Sequence, residues 1–136
     1  MFSRFASREG RSPSAVRGLA SDHVTVTGKV DDVRGWLDAA DVCVAPLKLA
    51  RGIQNKVLEA MARPAVASTA AAEGIDHADT ILVATTTQEF ADRICELLEA
   101  PDVAATLGQS ARAQVMRRYG WDARLGPLDA LLGLPV

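Results

Sequence analysis

The sequence predicts an α/β protein, a doubly wound parallel sheet in a single domain. Three observations carry this. From residue 13 onward, short β-prone runs alternate with helical stretches long enough to be crossovers. The run Val42-Cys43-Val44-Ala45 is apolar throughout, which suits a parallel strand covered on both faces. Aromatic residues make up only 4% of the chain and alanine is abundant, so small side chains favour close helix-on-sheet layers over a β-sandwich. A length of 136 residues suits one domain, expected over 13–136 behind an irregular or truncated start at 1–12.

Each element has its own signal. Ser12 is placed to cap, and Pro13 to begin, a helix running to Ala20. Val24 to Thr27 is β-branched throughout and stops at Gly28, a strand followed by a turn. Asp31 or Asp32 can cap the next helix, where Val33, Trp36, Leu37 and Ala40 repeat at one-sided helical spacing. The strand Val42–Ala45 ends at Pro46, and a loop from Leu47 to Gly52 leads into a helix over Ile53–Ala62. That helix places Ile53, Val57, Leu58 and Met61 on one side. Ala65–Ser68 and Ile81–Ala84 are further short strands. Thr87 is expected to cap a helix through Leu98 that buries Phe90, Ala91, Ile94, Leu97 and Leu98. Helices over Val103–Tyr119 and Trp121–Leu132 follow, broken at Gly120 and bent at Pro127.

Composition excludes several functions. Fifteen basic and 17 acidic residues leave a net charge of −2, the opposite of a nucleic-acid clamp. No apolar run is long enough for a membrane span. The start is rich in Arg and Ser but lacks the apolar stretch of a secretory signal, so a cytoplasmic location is expected. Cys43 and Cys95 sit in apolar contexts far apart and are expected to be buried free thiols. His23 and His77 have no neighbours at metal-ligand spacing, and no metal site is expected. Neither a Walker P-loop nor a nucleophile elbow is present. Eight acids against one base, Arg93, between Glu73 and Asp102 read as solvated helix faces.

Ligands of open α/β sheets bind beyond the carboxyl ends of the strands. The segment after Val42–Ala45, Pro46 to Lys56, is therefore the candidate site. Gly52 permits close backbone approach, free N–H groups open the following helix, and Lys48 and Arg51 add positive charge. That combination suits a phosphate, although basic residues near a helix start also occur on plain solvated loops. Glu59, at i+3 from Lys56 and four residues before Arg63, reads either as a surface ion-pair partner or as a ribose ligand.

The stretch TGKVDDVRGWLDAADVCVAPL (27–47), ARGIQNKVLEAMA (50–62) and RPAVAS (63–68) resembles the C-terminal domain of GT-B glycosyltransferases of the group 1, family 4 type. It is most similar to the exopolysaccharide branch with ARG-x-QNKVLEAMA. A weaker likeness continues through EGIDHADTILVA, LGQSAR and YGWDARLGPLDALL, so residues 12–134 are covered. The resemblance implies a domain that holds a nucleoside-diphosphate sugar, facing a second Rossmann-like domain that holds the acceptor. Transfer with retention and without an obligatory metal or other cofactor follows from the same likeness. Of the family's two spaced glutamates, the second matches Glu59, a ribose contact, and the first falls on Arg51. Backbone N–H groups of Gly52, Ile53, Gln54 and Asn55 would face the diphosphate, and the Gly28–Val30 turn would lie near the base. Catalytic residues are not identified.

Three departures bear on function. The acceptor domain with its histidine is missing, as is the upstream basic pair that grips the donor phosphates. Ala62 also runs directly into Arg63-Pro64 without the usual left-handed glycine, so the helix must stop early or the next strand must shift. In the resembling domains the segment matching Met1 to Gly10 supplies a central strand. Here Arg4, Arg8 and Glu9 stand among Phe2, Phe5 and Ala6, and burying such charges unpaired costs several kcal/mol each. A regular central strand is therefore not expected. Either the segment pairs irregularly, anchored by Phe2 and Phe5, or a second copy closes the edge in a homodimer. The expected function is the nucleotide-sugar-binding half of a retaining glycosyltransferase in polysaccharide biosynthesis, inactive without a separate acceptor domain. The alternative is a non-catalytic interaction module on the same fold. A phospho-acceptor receiver domain fits poorly, because Asp41 precedes its strand rather than ending it.

Overall fold

A computed structural model describes residues 3–7 and 14–120, together with 123 and 125. The protein is α/β, and every strand pairing within its sheets is parallel. The chain divides into two compact units, Met1–Ala39 and Ala40–Val136.

The first unit contains β1 (Ser3–Ser7), α1 (Ser14–Arg17), β2 (Val24–Lys29) and α2 (Arg34–Asp38). β1 pairs with β2, so the amino-terminal segment does form a strand, but an irregular one. Phe5 lies opposite Val26 and Ala6 opposite Gly28, which leaves Thr27 as an extra residue. Gly28, at φ +68°, absorbs that bulge, and β2 continues to Lys29 instead of turning at Gly28. Phe2, Ser12 and Pro13 lie outside the described residues. The cap position of α2 falls on Val33 rather than on Asp31 or Asp32, though the Asp32 carboxylate just before it accepts the Arg34 N–H at 2.9 Å.

The second unit holds the three-stranded sheet β3 (Cys43–Ala45), β4 (Ala65–Ser68) and β5 (Leu82–Ala84), in that order. Its helices are α3 (Asn55–Ala60), α4 (Thr69–Ala72), α5 (Thr87–Glu99) and α6 (Pro101–Tyr119). β4 is central and buried through Ala65, Val66 and Ala67. Val66, Ala84, Leu97 and Ala104 form the heart of the core, with Phe90, Ile94 and Leu107 packed around them. β3 is an edge of this sheet, and Val44 is 39% exposed, so the expectation of cover on both faces fails there. α4 was not foreseen. Its three alanines carry no apolar periodicity, and it starts because the Ser68 hydroxyl accepts the Ala71 N–H.

The missing glycine after α3 is resolved by an early stop. α3 ends at Ala60, and Met61 to Arg63 unwind through i→i+3 bonds, Ala62 to Glu59 and Arg63 to Ala60. No left-handed residue is needed. The Pro64 carbonyl then accepts the Cys43 N–H at 2.8 Å, opening the β3–β4 ladder. α6 crosses this corner so closely that a Cβ on Gly108 would lie 2.9 Å from Pro64.

α5 begins one residue earlier than expected. Thr86, not Thr87, accepts the Glu89 N–H, while the Glu89 carboxylate accepts from the Thr85 N–H, a variant of the capping box. Leu97 is buried as predicted, but Ala91 and Cys95 are exposed. α6 ends at Tyr119 as expected but starts two residues earlier than Val103, with Pro101 in its first turn. The helix expected over Trp121–Leu132 lies outside the described residues apart from 123 and 125. Among the described residues no helix is long and apolar enough to cross a membrane.

Candidate functional site

The Pro46–Lys56 segment leaves the carboxyl end of β3 and enters α3, the position that the parallel topology makes available to a ligand. Two side chains shape it. The Ser68 hydroxyl, at the end of β4, donates to the Leu47 carbonyl at 2.5 Å and ties the start of the loop to the sheet. The Gln54 amide donates back to the carbonyls of Arg51 at 3.0 Å and Gly52 at 3.2 Å. Gly52 stands at φ +65°, with nothing within 4 Å of where a Cβ would be. Glycine is required there by backbone conformation, not by crowding.

The structure brings most of the expected site residues into one short stretch. Arg51, Gly52, Ile53 and Asn55 are exposed, Gln54 and Glu59 partly so. Among the described residues nothing accepts a hydrogen bond from the backbone N–H of Gly52, Ile53, Gln54 or Asn55. Asn55 and Glu59 are one turn apart on α3 and share a face. Val30 follows β2 and belongs to the first unit.

One expectation about this helix fails. Ile53 is 43% exposed and precedes α3, so it does not share the buried side with Val57 and Met61. With only six residues α3 has a weak macrodipole, and the loop N–H groups and the Arg51 charge are the stronger anion attractors. At the start of β3, burial pushes the Cys43 thiol up to about 11, the Arg63 charge opposing the shift. Cys43 is thus a buried neutral thiol, as expected. His77 is structural too, its Nδ1 accepting the Asp79 N–H at 3.2 Å.

An open groove of about 500 Å³ lies elsewhere, lined by Asp79, Thr80, Asp102, Val103, Thr106, Leu107 and Ser110. Its charged groups are two carboxylates, which repel an anionic ligand, and it shares no residue with the loop after β3.

The side-chain roles of Gln54 and Ser68 escaped the sequence reading. The signal for Gln54 was slight, a side-chain amide three residues beyond the first carbonyl that it holds. Ser68 is 21 residues from Leu47, and no local pattern connects them.

Parallel strands joined through helices, with a glycine-bent loop at a carboxyl strand end, define a Rossmann-like α/β arrangement. The family model for glycosyl transferases group 1 matches residues 6–100, more than half of the chain. The chain belongs to that family, whose chemistry is glycosyl transfer from a donor to an acceptor. No curated protein matches it.

Proposed function

We propose that this chain is the donor-binding, C-terminal half of a retaining GT-B glycosyltransferase of the exopolysaccharide branch, and that it binds a nucleoside-diphosphate sugar at Arg51–Glu59. The observation that carries this reading is the loop after β3, where four consecutive backbone N–H groups, Gly52 to Asn55, have no protein acceptor among the described residues beside exposed Arg51. Such an array suits the diphosphate. Glu59, one turn further on, accepts hydrogen bonds from the ribose hydroxyls. Binding needs no metal and no further cofactor. The reading places the protein in polysaccharide biosynthesis in the cytoplasm, working with a separate acceptor domain.

On this reading the chain alone binds but does not transfer, because rate depends on holding donor and acceptor together and it supplies one wall of the cleft. With that wall alone, UDP or GDP is expected to bind with Kd about 0.1–1 mM. Titration followed through the amide signals of Gly52 to Glu59 tests this. Signals that stay still at millimolar nucleotide would favour the non-catalytic interaction module, and sugar transfer by the purified chain would overturn the claim of inactivity.

A further inference from the structure

We infer that Gln54 is a positioning residue: its side-chain amide selects the loop conformation that turns the Gly52 and Ile53 N–H groups outward, toward the diphosphate. The inference rests on the donor-site reading above for its ligand, but on the free loop for its geometry.

The peptide bonds on both sides of Gly52 are trans, so the N–H of each points opposite to its own carbonyl. The Arg51 carbonyl shares a peptide with the Gly52 N–H, and the Gly52 carbonyl shares one with the Ile53 N–H. Both carbonyls converge on a single Gln54 nitrogen, at 3.0 and 3.2 Å. Both N–H groups therefore face away from it, and because the two carbonyls converge the N–H vectors splay apart, as donors to separate oxygens of a diphosphate rather than to one.

Little else holds the loop in that state. Glycine adopts positive and negative φ with similar ease, so Gly52 permits φ +65° without selecting it. Packing does not select it either, since nothing lies within 4 Å of a Cβ built there and Arg51, Gly52 and Ile53 are exposed. The main chain of Gln54 is meanwhile committed to the start of α3, its carbonyl accepting from Val57 and Leu58 at 2.9 and 3.2 Å. The donor is thus mounted on a fixed base, which is what a staple requires.

The test uses the whole chain with Gln54→Met, which keeps length and neutrality but removes both donors, and Gln54→Glu, which sets an acceptor against two carbonyls. In both variants the free protein is expected to show shifted Gly52 and Ile53 amide signals. Their order parameters should fall below about 0.6, while signals of β4 and α5 stay as in the parent and report an intact fold. UDP affinity of Gln54→Met is expected to drop about tenfold, the worth of roughly one net hydrogen bond. Unchanged Gly52 and Ile53 signals in Gln54→Met, or undiminished UDP affinity, would overturn the inference. If the loop loosens as expected but the parent chain binds no nucleotide, the donor-site reading fails and the staple stands.

Discussion

At the scale of single residues, the most informative groups are those whose environment differs from their exposed counterparts. Cys43 is one. Its burial at the start of β3 pushes the thiol from 9.0 up to about 11, with the Arg63 charge opposing. An acid whose folded pKa is raised adds stability that is fully present below the unfolded pKa. Above 9.0 the unfolded chain releases its proton first, so stability falls as pH rises toward 11. The full shift is worth roughly 3 kcal/mol. Urea unfolding of the parent and of Cys43→Ala through that window is expected to show a steeper decline in the parent. Parallel declines would assign the loss to other groups. Asp76 shows a different kind of residue effect. Its N–H donates to the Tyr119 hydroxyl at 2.7 Å, its carbonyl accepts from Gln114 at 2.8 Å, and its carboxylate meets Arg118 at 2.6 Å. The ion pair is about half exposed and contributes little. The bond from Gln114 matters more, because Gln114 is buried and would otherwise leave a polar group without a partner.

At the scale of elements, the contact between α6 and the Arg63–Pro64 corner governs how the second unit closes. Glycine inside a helix costs about 1 kcal/mol relative to alanine, so Gly108→Ala would stabilise an isolated helix. Here the added Cβ would meet the Pro64 ring and backbone nitrogen at 2.9 Å and the Arg63 carbonyl carbon at 3.1 Å. Neither a proline ring nor a backbone can swing aside as a flexible side-chain end would, and overpacking of this kind costs about 1–3 kcal/mol. Gly108→Ala is therefore expected to lose about 1 kcal/mol net, read as a lower urea midpoint. A higher midpoint would mean that α6 moves away from the corner freely. The same contact explains why α3 needs no glycine stop: Pro64 ends the turn and starts the ladder, and α6 packs over it.

At the scale of the molecule, stability is concentrated in one part of the chain. Every buried side chain described belongs to the second unit, from Cys43 to Gln114, whereas the side chains of residues 14–39 are partly or fully exposed. Opening free energy follows buried apolar contact. The amides of Val66 and Ala67 in β4 are expected to exchange only through global unfolding. Those of Val24 to Lys29 in β2 should exchange through smaller openings, and equal protection in native-state hydrogen exchange would show one cooperative unit.

The sequence by itself determined the class of fold, four of the five strands to within two residues at each end, and the loop that carries the candidate site. It could do so because these features are local: β-branched and apolar runs, one-sided helical spacing, and a glycine beside basic residues. The family likeness was legible for the same reason, in one long uninterrupted motif over 50–62. Tertiary structure decided the rest. Val44 is apolar like its neighbours, and only the position of β3 at the sheet edge leaves it exposed. Ile53 and Cys95 fit an apolar pattern, yet the actual start of α3 and the face that α5 presents put both outside the core. Gly108 looks like a helix defect until Pro64 is seen against it. The amino-terminal segment forms a strand through an irregular pairing with a bulge before Gly28, a property of two strands and not of either one. The conformation of the candidate site is itself a tertiary outcome, for Gly52 permits it while Gln54 and Ser68 hold it.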